Sequence, residues 1–428
     1  MNYLDIPHLQ QESVSLLQQV NALLQRHGAS SDEKYQTYQR QINHQIRLVE
    51  NLELRMTIVA PMKAGKSTII NAIAGQELVP SHSAAMTILP TELIFNTQLT
   101  EPILTLSALM VTEYHAMIQQ LSNLIEQQGI ENILTQIKEY PHLKFLLNKV
   151  QSGIPIKLQT IGQPEILEML GILNHLVRLA TLLIPDKQLL SLTELPRIET
   201  PSKQLTDMVA LQSNLVLVDT PGPNEAGENL RLKAVVEEQL QKSSIVLIVL
   251  NFTALNTEAD EAVKQEVEKV IQLRGKDNLY VLVNWIDQRK QDGMTPEEIH
   301  AFVTAKFNIE TVGHIFETSA VKAFLAMNFL QELQHTPEIS LTQMKSARMI
   351  AEQTLGIDWQ EELQQISVEK LKLKAEKLWF TSGFTPFLEK VIKNLMLEGS
   401  HRCLRNALEM SQWCLIELRK EFEQILNQ

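Results

Sequence analysis

The stretch Ala60–Thr68 (Ala-Pro-Met-Lys-Ala-Gly-Lys-Ser-Thr) has the residues and the spacing of a phosphate-binding loop, with Ala60 where the usual pattern begins with Gly. A short β-like run precedes this stretch and a helix-like run follows it, which is the context that such a loop requires. Lys66 would reach the terminal phosphates of a nucleotide, and the Ser67 hydroxyl would ligate Mg²⁺. The expected phosphate contacts are Ala64, Gly65, Lys66, Ser67 and Thr68.

A second group of residues has the chemistry to handle the γ-phosphate. The sequence Asp219-Thr-Pro-Gly222 ends another strand-like run. The Asp219 carboxylate would hold a water on Mg²⁺, and the Gly222 N–H would contact the γ-phosphate. Taken alone, these four residues also suit an ordinary turn. Thr87 follows the phosphate loop and would ligate Mg²⁺ and orient the attacking water, so the expected metal ligands are Ser67, Thr87 and Asp219.

A third group could select the base. Asn284-Trp-Ile-Asp287 follows a strand-like run, and the Asp287 carboxylate could accept hydrogen bonds from the ring N–H and the amine of guanine. Adenine offers neither donor there. Asn284 would contact the carbonyl side of guanine or brace the phosphate loop. Trp285 stands where Lys is usual, and its indole could stack on the base or only cap the sheet. Ser319 and Ala320 could offer a backbone N–H to the base carbonyl.

The elements that must position these residues alternate along the chain. Apolar runs with polar residues at their ends suit strands buried on both faces, and they occur at Met56–Ala60, Thr91–Phe95, Leu215–Asp219, Ile245–Leu250, Leu279–Asn284 and His314–Thr318. Helix-like stretches, including Leu230–Lys242 and Glu258–Leu273, separate several of them. This pattern predicts an α/β fold with a doubly wound, mostly parallel sheet. Because nucleotides bind beyond the carboxyl ends of parallel strands, the motifs are expected to share one site.

The domain organisation follows from the segments that interrupt this rhythm. We expect N-terminal neck helices over residues 1–54 and a nucleotide domain over residues 55–335. Within that domain, residues 102–200 have apolar positions at helical spacing and predict a helical insertion. Residues 336–428 are nearly all helix-like and are expected to pack with the N-terminal helices as a bundle.

Composition excludes some classes of function. The chain has 428 residues, is 44% hydrophobic and carries a net charge of −12, so direct nucleic-acid binding is not expected. Its two cysteines, Cys403 and Cys414, suit a reducing compartment. The sequence shows neither a run of about 18 apolar residues nor a signal pattern at its start. We expect a cytoplasmic protein whose membrane contact, if any, is peripheral.

Taken together, these motifs resemble those of the dynamin superfamily, and specifically the bacterial dynamin-like GTPases. The residues that carry the resemblance are Met62–Thr68, Met86–Thr91, Leu217–Gly227 and Asn284–Asp287. The resemblance extends over about residues 40 to 330. It implies a P-loop GTPase fold, GTP hydrolysis with Mg²⁺, low nucleotide affinity and dimerisation of G domains across their nucleotide faces. It also implies a helical neck built from N- and C-terminal segments.

The catalytic groups are expected to differ from those of Ras-type GTPases. Pro223 follows Gly222 where a water-positioning Gln would stand, so we assign that role to Thr87. Lys63 lies where related large GTPases carry Arg or Ser. One hypothesis is that Lys63 folds over the phosphates when two G domains meet, and the other is a solvated Lys that only raises GTP affinity. The expected catalytic residues are Lys63, Lys66, Thr87 and Gly222.

Three functions remain open from the sequence. The first is a dynamin-type GTPase that dimerises with a second copy of itself and works with a companion dynamin-like subunit or a membrane surface. The second is a slow nucleotide-dependent switch that binds a partner protein, either replication-associated or a companion subunit. The third is an ATP-using P-loop enzyme, which Asp287 disfavours.

Overall fold

One sheet with helices on both faces forms the centre of the molecule. A computed structural model describes residues 5–27, 33–61, 63–80, 89–96, 99–184, 194–201, 214–221, 239–240, 242–255, 261, 263–265, 268, 278–309, 312–335 and 340–426. The predicted helices Leu230–Lys242 and Glu258–Leu273 lie largely outside these residues.

The described residues contribute nine strands to this sheet, in the order β4-β3-β5-β2-β6-β1-β7-β8-β9. Their bounds are β1 Glu53–Val59, β2 Thr91–Phe95, β3 Ile103–Thr105, β4 Gln159–Ile161, β5 Arg197–Thr200, β6 Asn214–Asp219, β7 Ile245–Asn251, β8 Leu279–Asn284 and β9 Ile315–Glu317. Strands β6, β1, β7, β8 and β9 run parallel to one another. The antiparallel pairs, β2–β6, β3–β4 and β3–β5, lie on the other side of the sheet. The predicted α/β P-loop architecture with a mostly parallel sheet is confirmed.

The helices of the described residues cover this sheet and extend beyond it. They are α1 Ile6–His27, α2 Glu33–Glu50, α3 Lys66–Ala74, α4 Ala108–Gln128, α5 Ile130–Gln136, α6 Lys144–Ser152, α7 Gln163–Leu183, α8 Pro296–Phe307, α9 Ala320–His335, α10 Lys345–Thr354, α11 Trp359–Gln365, α12 Val368–Thr381, α13 Phe384–Phe387 and α14 Asn394–Leu426. A π-helical turn, Leu388–Lys393, joins α13 to α14.

Two apolar layers sandwich the parallel strands, because side chains alternate between the faces of a strand. In β7, Leu247 and Val249 join the layer that contains α3 and α9, and Ile248 and Leu250 join the layer that contains α8. Strands buried on both faces leave the polar chemistry to the residues that follow each strand.

The segment predicted as a helical insertion is only partly helical. It contains α4 to α7, and its predicted apolar stripes, such as Leu121 and Leu146, are buried. It also contributes β3, β4 and β5 to the sheet. β3 and β4 have three residues each, too few for a period-2 pattern to be read from sequence. Among the described residues, α7 is the one helix long and apolar enough to cross a membrane, but 61% of its most apolar stretch is buried in the protein, as in a core helix.

The neck is formed by α1, α2 and α14. Leu17, Leu24 and Ile42 pack there against Cys403 and Cys414 of α14. Burial raises the pKa of the Cys403 thiol to about 12, with help from the Glu53 charge, and that of the Cys414 thiol to about 11. Both thiols therefore stay protonated near neutral pH and pack as apolar groups.

The expectation that all C-terminal helices join this bundle was wrong for α10, α11 and α12. These three helices pack on the outer side of α9, where Phe329, Ile350 and Leu371 share one apolar cluster. α9 has apolar residues on two sides, so its outer side also needs a cover.

A tight junction returns the chain from α12 to the sheet and then to the neck. The Ser319 N–H donates to the Ser382 carbonyl at 2.7 Å. Gly383 has a φ of 71°, and a Cβ there would overlap the Glu317 carbonyl oxygen. The Phe387 ring lies 5.7 Å from that of Phe316. The start of the neck helix is thus fixed to the carboxyl end of β9.

Substitution of Gly383 by Ala should destabilise the protein by about 2–4 kcal/mol, because a left-handed backbone and a backbone overlap both oppose the new Cβ. Gly356→Ala is the matched control, since Gly356 also has a positive φ (81°) but nothing within 4 Å of an added Cβ. It should cost about 1 kcal/mol. Urea denaturation of both variants measures the difference, and equal losses would contradict the packed junction.

Candidate nucleotide site

The predicted functional residues follow strands whose carboxyl ends meet at one edge of the sheet. Ile58 of β1 lies beside Asp219 of β6, and Val283 of β8 lies beside Glu317 of β9. These strands run in the same direction, so the segments that follow them are neighbours. This edge is where open α/β sheets bind ligands.

The phosphate loop joins β1 to α3. Gly65 caps the N-terminus of α3 in a left-handed conformation with φ of 89°, and a Cβ there would overlap the Asn284 amide nitrogen. Lys63 is also left-handed, with φ of 64°, and is exposed. Ser67 and Thr68 are half-buried in the first turn of α3. The loop therefore presents the N-terminal N–H groups of α3 on the site side of the sheet.

A buried ion pair lies next to this loop. Lys66 Nζ lies 3.2 Å from Asp219 Oδ1, and the two side chains are 8% and 2% exposed. The Lys66 ammonium also donates to the Thr220 carbonyl, while the Thr220 hydroxyl donates to the Ile58 carbonyl at 2.7 Å. Charges this deeply buried need partners. A phosphate oxygen and a cation would be alternative partners for the ammonium and the carboxylate.

The same residues fit a magnesium ion. Mg²⁺ takes hard oxygen ligands and usually shares them with substrate phosphates. The Asp219 carboxylate at the end of β6 and the Ser67 hydroxyl at the start of α3 supply oxygens of that kind. The donor set therefore agrees with the predicted metal.

Asn284 connects two parts of the site. Its side-chain amide donates to the Ala64 carbonyl at 2.8 Å, and its side-chain oxygen accepts from the Ala320 N–H at 2.9 Å. Asn284 is 2% exposed, so both bonds are shielded from water. Of the two roles left open for this residue, the geometry shows the brace of the phosphate loop.

The loop after β9 differs from expectation. Ser319 and Ala320 were expected to offer an N–H to the base carbonyl, but each N–H already has an internal acceptor. Ser319 N–H donates to the Ser382 carbonyl, and Ala320 N–H donates to the Asn284 side chain. Both residues are 1% exposed. In this conformation neither N–H is available to a base.

Asp287 lies in the 3-10 turn Ile286–Gln288 that follows β8. The Ile286 N–H donates to the Thr318 carbonyl at 3.2 Å, which ties this turn to the loop after β9. Asp287 Oδ2 accepts from the Gln288 side chain at 2.8 Å. Asp287 Oδ1 and Trp285 Nε1 are buried atoms with no hydrogen-bond partner among the described residues. Arg289 Nε and Glu317 Oε1 beside them are also buried and without a partner in the described part of the chain, so this turn offers both donors and acceptors to a ligand.

Two of the expected residues, Thr87 and Gly222, lie outside the described residues. The structure brings together the phosphate loop, Asp219, Asn284 and the loop after β9 (residues 318–320, the base loop). Thr87 and Gly222 stay predictions.

Comparison with known proteins identifies the family. Residues 56–285, just over half of the 428 residues, match the Dynamin family model. The chain belongs to the Dynamin family. The members of this family are P-loop GTPases. This dynamin-family chain therefore has the fold that its sequence predicts.

Two curated relatives are similar over most of the chain. Clamp-binding protein CrfC from Escherichia coli and that from Escherichia coli strain K12 are each 30% identical over 372 residues, covering 86% of this chain and 49% of the relative. The chain thus spans about half the length of the curated relatives it matches.

Two solved structures are remotely similar. Both are described as an oligomerised bacterial dynamin pair involved in sensing and tethering membranes. One is 15% identical with a TM-score of 0.40, and the aligned region covers 100% of this chain and 58% of the solved chain. The other is 14% identical with a TM-score of 0.38 and covers 100% and 64%. Similarity this low supports no conclusion about mechanism or partners.

Sequence reasoning missed two features of the dynamin-family site. Thr220 supplies a carbonyl to Lys66 and fixes its own turn to β1 through its hydroxyl. Its place inside the Asp-Thr-Pro-Gly motif was the available signal. The contact of Ser382 and Gly383 with the end of β9 was also not predicted, and the glycine itself was the local signal for it. Contacts between distant segments leave no periodic pattern.

Replacement of Asn284 by Asp should lower the free energy of unfolding by about 2–4 kcal/mol. The change keeps the acceptor for Ala320 but sets a buried carboxylate oxygen against the Ala64 carbonyl. Asn214→Asp is the matched control, because the Asn214 amide also donates to a backbone carbonyl, that of Asn51 at 3.1 Å, but is exposed to water at the start of β6. It should change stability by less than about 0.5 kcal/mol. Chemical denaturation tests this, and a stable N284D variant would rule out the brace.

Proposed function

We propose that this protein binds GTP with Mg²⁺ and hydrolyses it to GDP and phosphate. The observation that carries the proposal is the Asn284 side chain, which bonds to the phosphate loop at Ala64 and to the base loop at Ala320. Asn284 itself lies three residues before Asp287. The phosphate-binding groups and the acidic residue expected to contact the base are thereby linked through one side chain. Membership of a family of GTPases supports the same reaction.

In this proposal each residue of the phosphate end has a role. Gly65 and Thr68 contribute backbone N–H groups at the start of α3, and Lys66 neutralises the β- and γ-phosphates. The Ala64 N–H, also expected to contact phosphate, donates instead to the Pro61 carbonyl at 3.2 Å. Ser67, Thr87 and Asp219 hold Mg²⁺, which supplies charge neutralisation on the phosphate oxygens when bound. Gly222 contacts the γ-phosphate, and Thr87 orients the attacking water.

Lys66 must change partners during this cycle. Its ammonium is held by Asp219 and by the Thr220 carbonyl, and a bound phosphate competes for it. Part of the binding free energy is therefore spent on separating a buried ion pair. This exchange favours a modest affinity for GTP that depends on Mg²⁺, because Asp219 needs a cation when Lys66 leaves.

The base end of the site favours guanine. Asp287 Oδ1 is buried and has no hydrogen-bond partner among the described residues. Guanine would supply two N–H donors, whereas adenine would leave the carboxylate unpaired. Since the Ser319 and Ala320 N–H groups are engaged internally, we assign base selection to Asp287 alone.

Two finer points belong to the proposal. We assign stimulation of turnover to dimerisation across the nucleotide face, with Lys63 as the cation that folds over the phosphates. The exposed side chain of Lys63 at the rim of the loop supports this assignment. The proposed division into neck and G domain keeps the sequence boundaries 54 and 335, and the buried thiols support a cytoplasmic location.

A slow nucleotide-dependent switch is the second candidate function. The observation that favours it is the similarity to relatives named as clamp-binding proteins. In that case the nucleotide state would control binding to a replication-associated partner or a companion dynamin subunit. A membrane surface is the remaining proposed partner, in peripheral contact only.

Asp287→Asn should reverse base preference. The amide can no longer accept from both guanine donors, but it can donate to the extra carbonyl of xanthine. We expect kcat/KM for GTP to fall roughly 10²- to 10⁴-fold and xanthosine triphosphate to become the better substrate. Asp292→Asn, an exposed position in the same loop, should behave as wild type. Steady-state kinetics with both nucleotides decides, and an unchanged preference would contradict the role of Asp287.

Lys63→Ala should reduce kcat by roughly 10²- to 10³-fold at saturating GTP and high protein concentration, because a cation is lost from the transition state. The wild type should show specific activity that rises with protein concentration. Lys290→Ala is the control, since Lys290 is also exposed. If only KM rises in K63A, Lys63 is a solvated residue that aids binding. A flat concentration profile in the wild type would favour the slow switch.

A further inference from the structure

Trp285 has an unusual backbone conformation. It lies between β8 and the turn of Asp287 with φ of 67° and ψ of 27°. A left-handed conformation costs an ordinary residue roughly 1–2 kcal/mol, and it persists only where the surroundings fix it. Here the neighbours on both sides are fixed, Asn284 by two side-chain bonds and Ile286 by the Thr318 carbonyl. The turn therefore holds the indole in a defined place.

The Trp285 indole lies beside the phosphate loop. Trp285 Nε1 lies 3.5 Å from the point where a Cβ of Gly65 would be, and the Asn284 side chain is the other near neighbour. Gly65 caps α3 immediately before Lys66. The N–H end of the indole thus lies against the loop that surrounds the phosphates.

The indole N–H is a donor without an acceptor. Nε1 is buried, and no described residue accepts a hydrogen bond from it. An indole N–H can only donate. Leaving such a donor buried and unpaired costs roughly 1–3 kcal/mol, so it is an unusual feature in a folded protein. Two residues on, Asp287 Oδ1 is a buried acceptor that also has no partner among the described residues.

We propose that the Trp285 N–H is a ligand of the nucleotide and donates to an oxygen between the base and the β-phosphate, on the ribose or on the α-phosphate. The inference rests on the proposed function. In the proposed function, Asp287 binds the base and Gly65 lies beside the phosphates. The Trp285 indole lies between these two residues, so it faces the ribose and the α-phosphate, which connect the base to the other phosphates. The residue acts as a neutral donor at a position where Lys would bring a charge.

Trp285→Phe tests this assignment, because it keeps an aromatic ring and removes the N–H together with one ring of the indole. GTP should bind about tenfold more weakly, as expected for one lost hydrogen bond. Without nucleotide, the melting temperature should change little, because removal of an unpaired buried donor offsets part of the packing lost with the smaller ring. A purely structural tryptophan would instead lose stability while GTP affinity stayed unchanged. Trp413→Phe is the control, with its ring 5.2 Å from that of Tyr38 in the neck.

Nucleotide analogues separate the two acceptor positions. If the α-phosphate accepts, wild type should lose affinity for one isomer of guanosine 5′-O-(1-thiotriphosphate), and W285F should not. If a ribose hydroxyl accepts, the wild type should lose affinity for dideoxy-GTP, and W285F should not. If the wild type and W285F respond alike to both analogues while W285F still binds GTP more weakly, the ribose ring oxygen is the acceptor.

A second measurement does not depend on the variant. The chain has four tryptophans, so a ¹⁵N-tryptophan sample gives four indole signals, assigned by single replacements. The Trp285 signal should move downfield on GTP binding, as a new hydrogen bond requires. Wild-type protein that binds GTP while W285F binds it equally well, or while this signal stays still, overturns the assignment of Trp285 alone. Folded wild-type protein that binds no GTP overturns the proposed function itself.

Discussion

The two hydrogen bonds of the buried Asn284 side chain hold the site together. One bond goes to the phosphate loop at Ala64 and the other to the base loop at Ala320. The geometry of one end therefore constrains the other, and Gly65 must lack a Cβ for the two to approach. Since the bonds are shielded from water, their loss would leave buried polar groups unpaired. Trp285 and Asp287 depend on the same anchor, because they continue the chain from it.

Charge is the second constraint. Lys66 and Asp219 are buried together at the site edge, and further ion pairs join the strands farther back, Arg55 with Glu92 at 2.7 Å and Arg197 with Glu53 at 2.5 Å. Buried ion pairs give little net stability but are costly to break, although Arg197 is 34% exposed. In the proposed function, phosphate and Mg²⁺ would compete for the two members of the Lys66–Asp219 pair. Without them, the two charges balance each other.

The sequence predicted the parallel half of the sheet well, because the long apolar runs there are followed by polar motifs. β8 begins and ends where expected, and Asp219 and Asn284 end their strands as expected. In the other half, β2 also has its expected bounds, but β3 and β4 are too short to show a pattern. The packing of α12 on α9 and the bond from Ser319 to Ser382 also join distant segments. That bond fixes the start of the neck beside the base loop and removes an N–H that was expected to bind the base.

In the proposed function, one pocket joins a phosphate end to a guanine-selective end. Calorimetric titration of the wild-type protein with GTP and with ATP, both with Mg²⁺, measures this selectivity. We expect one GTP site and binding of ATP at least about 100-fold weaker, because ATP would leave the Asp287 carboxylate unpaired. Equal affinity for the two nucleotides, or no binding of either, would contradict it.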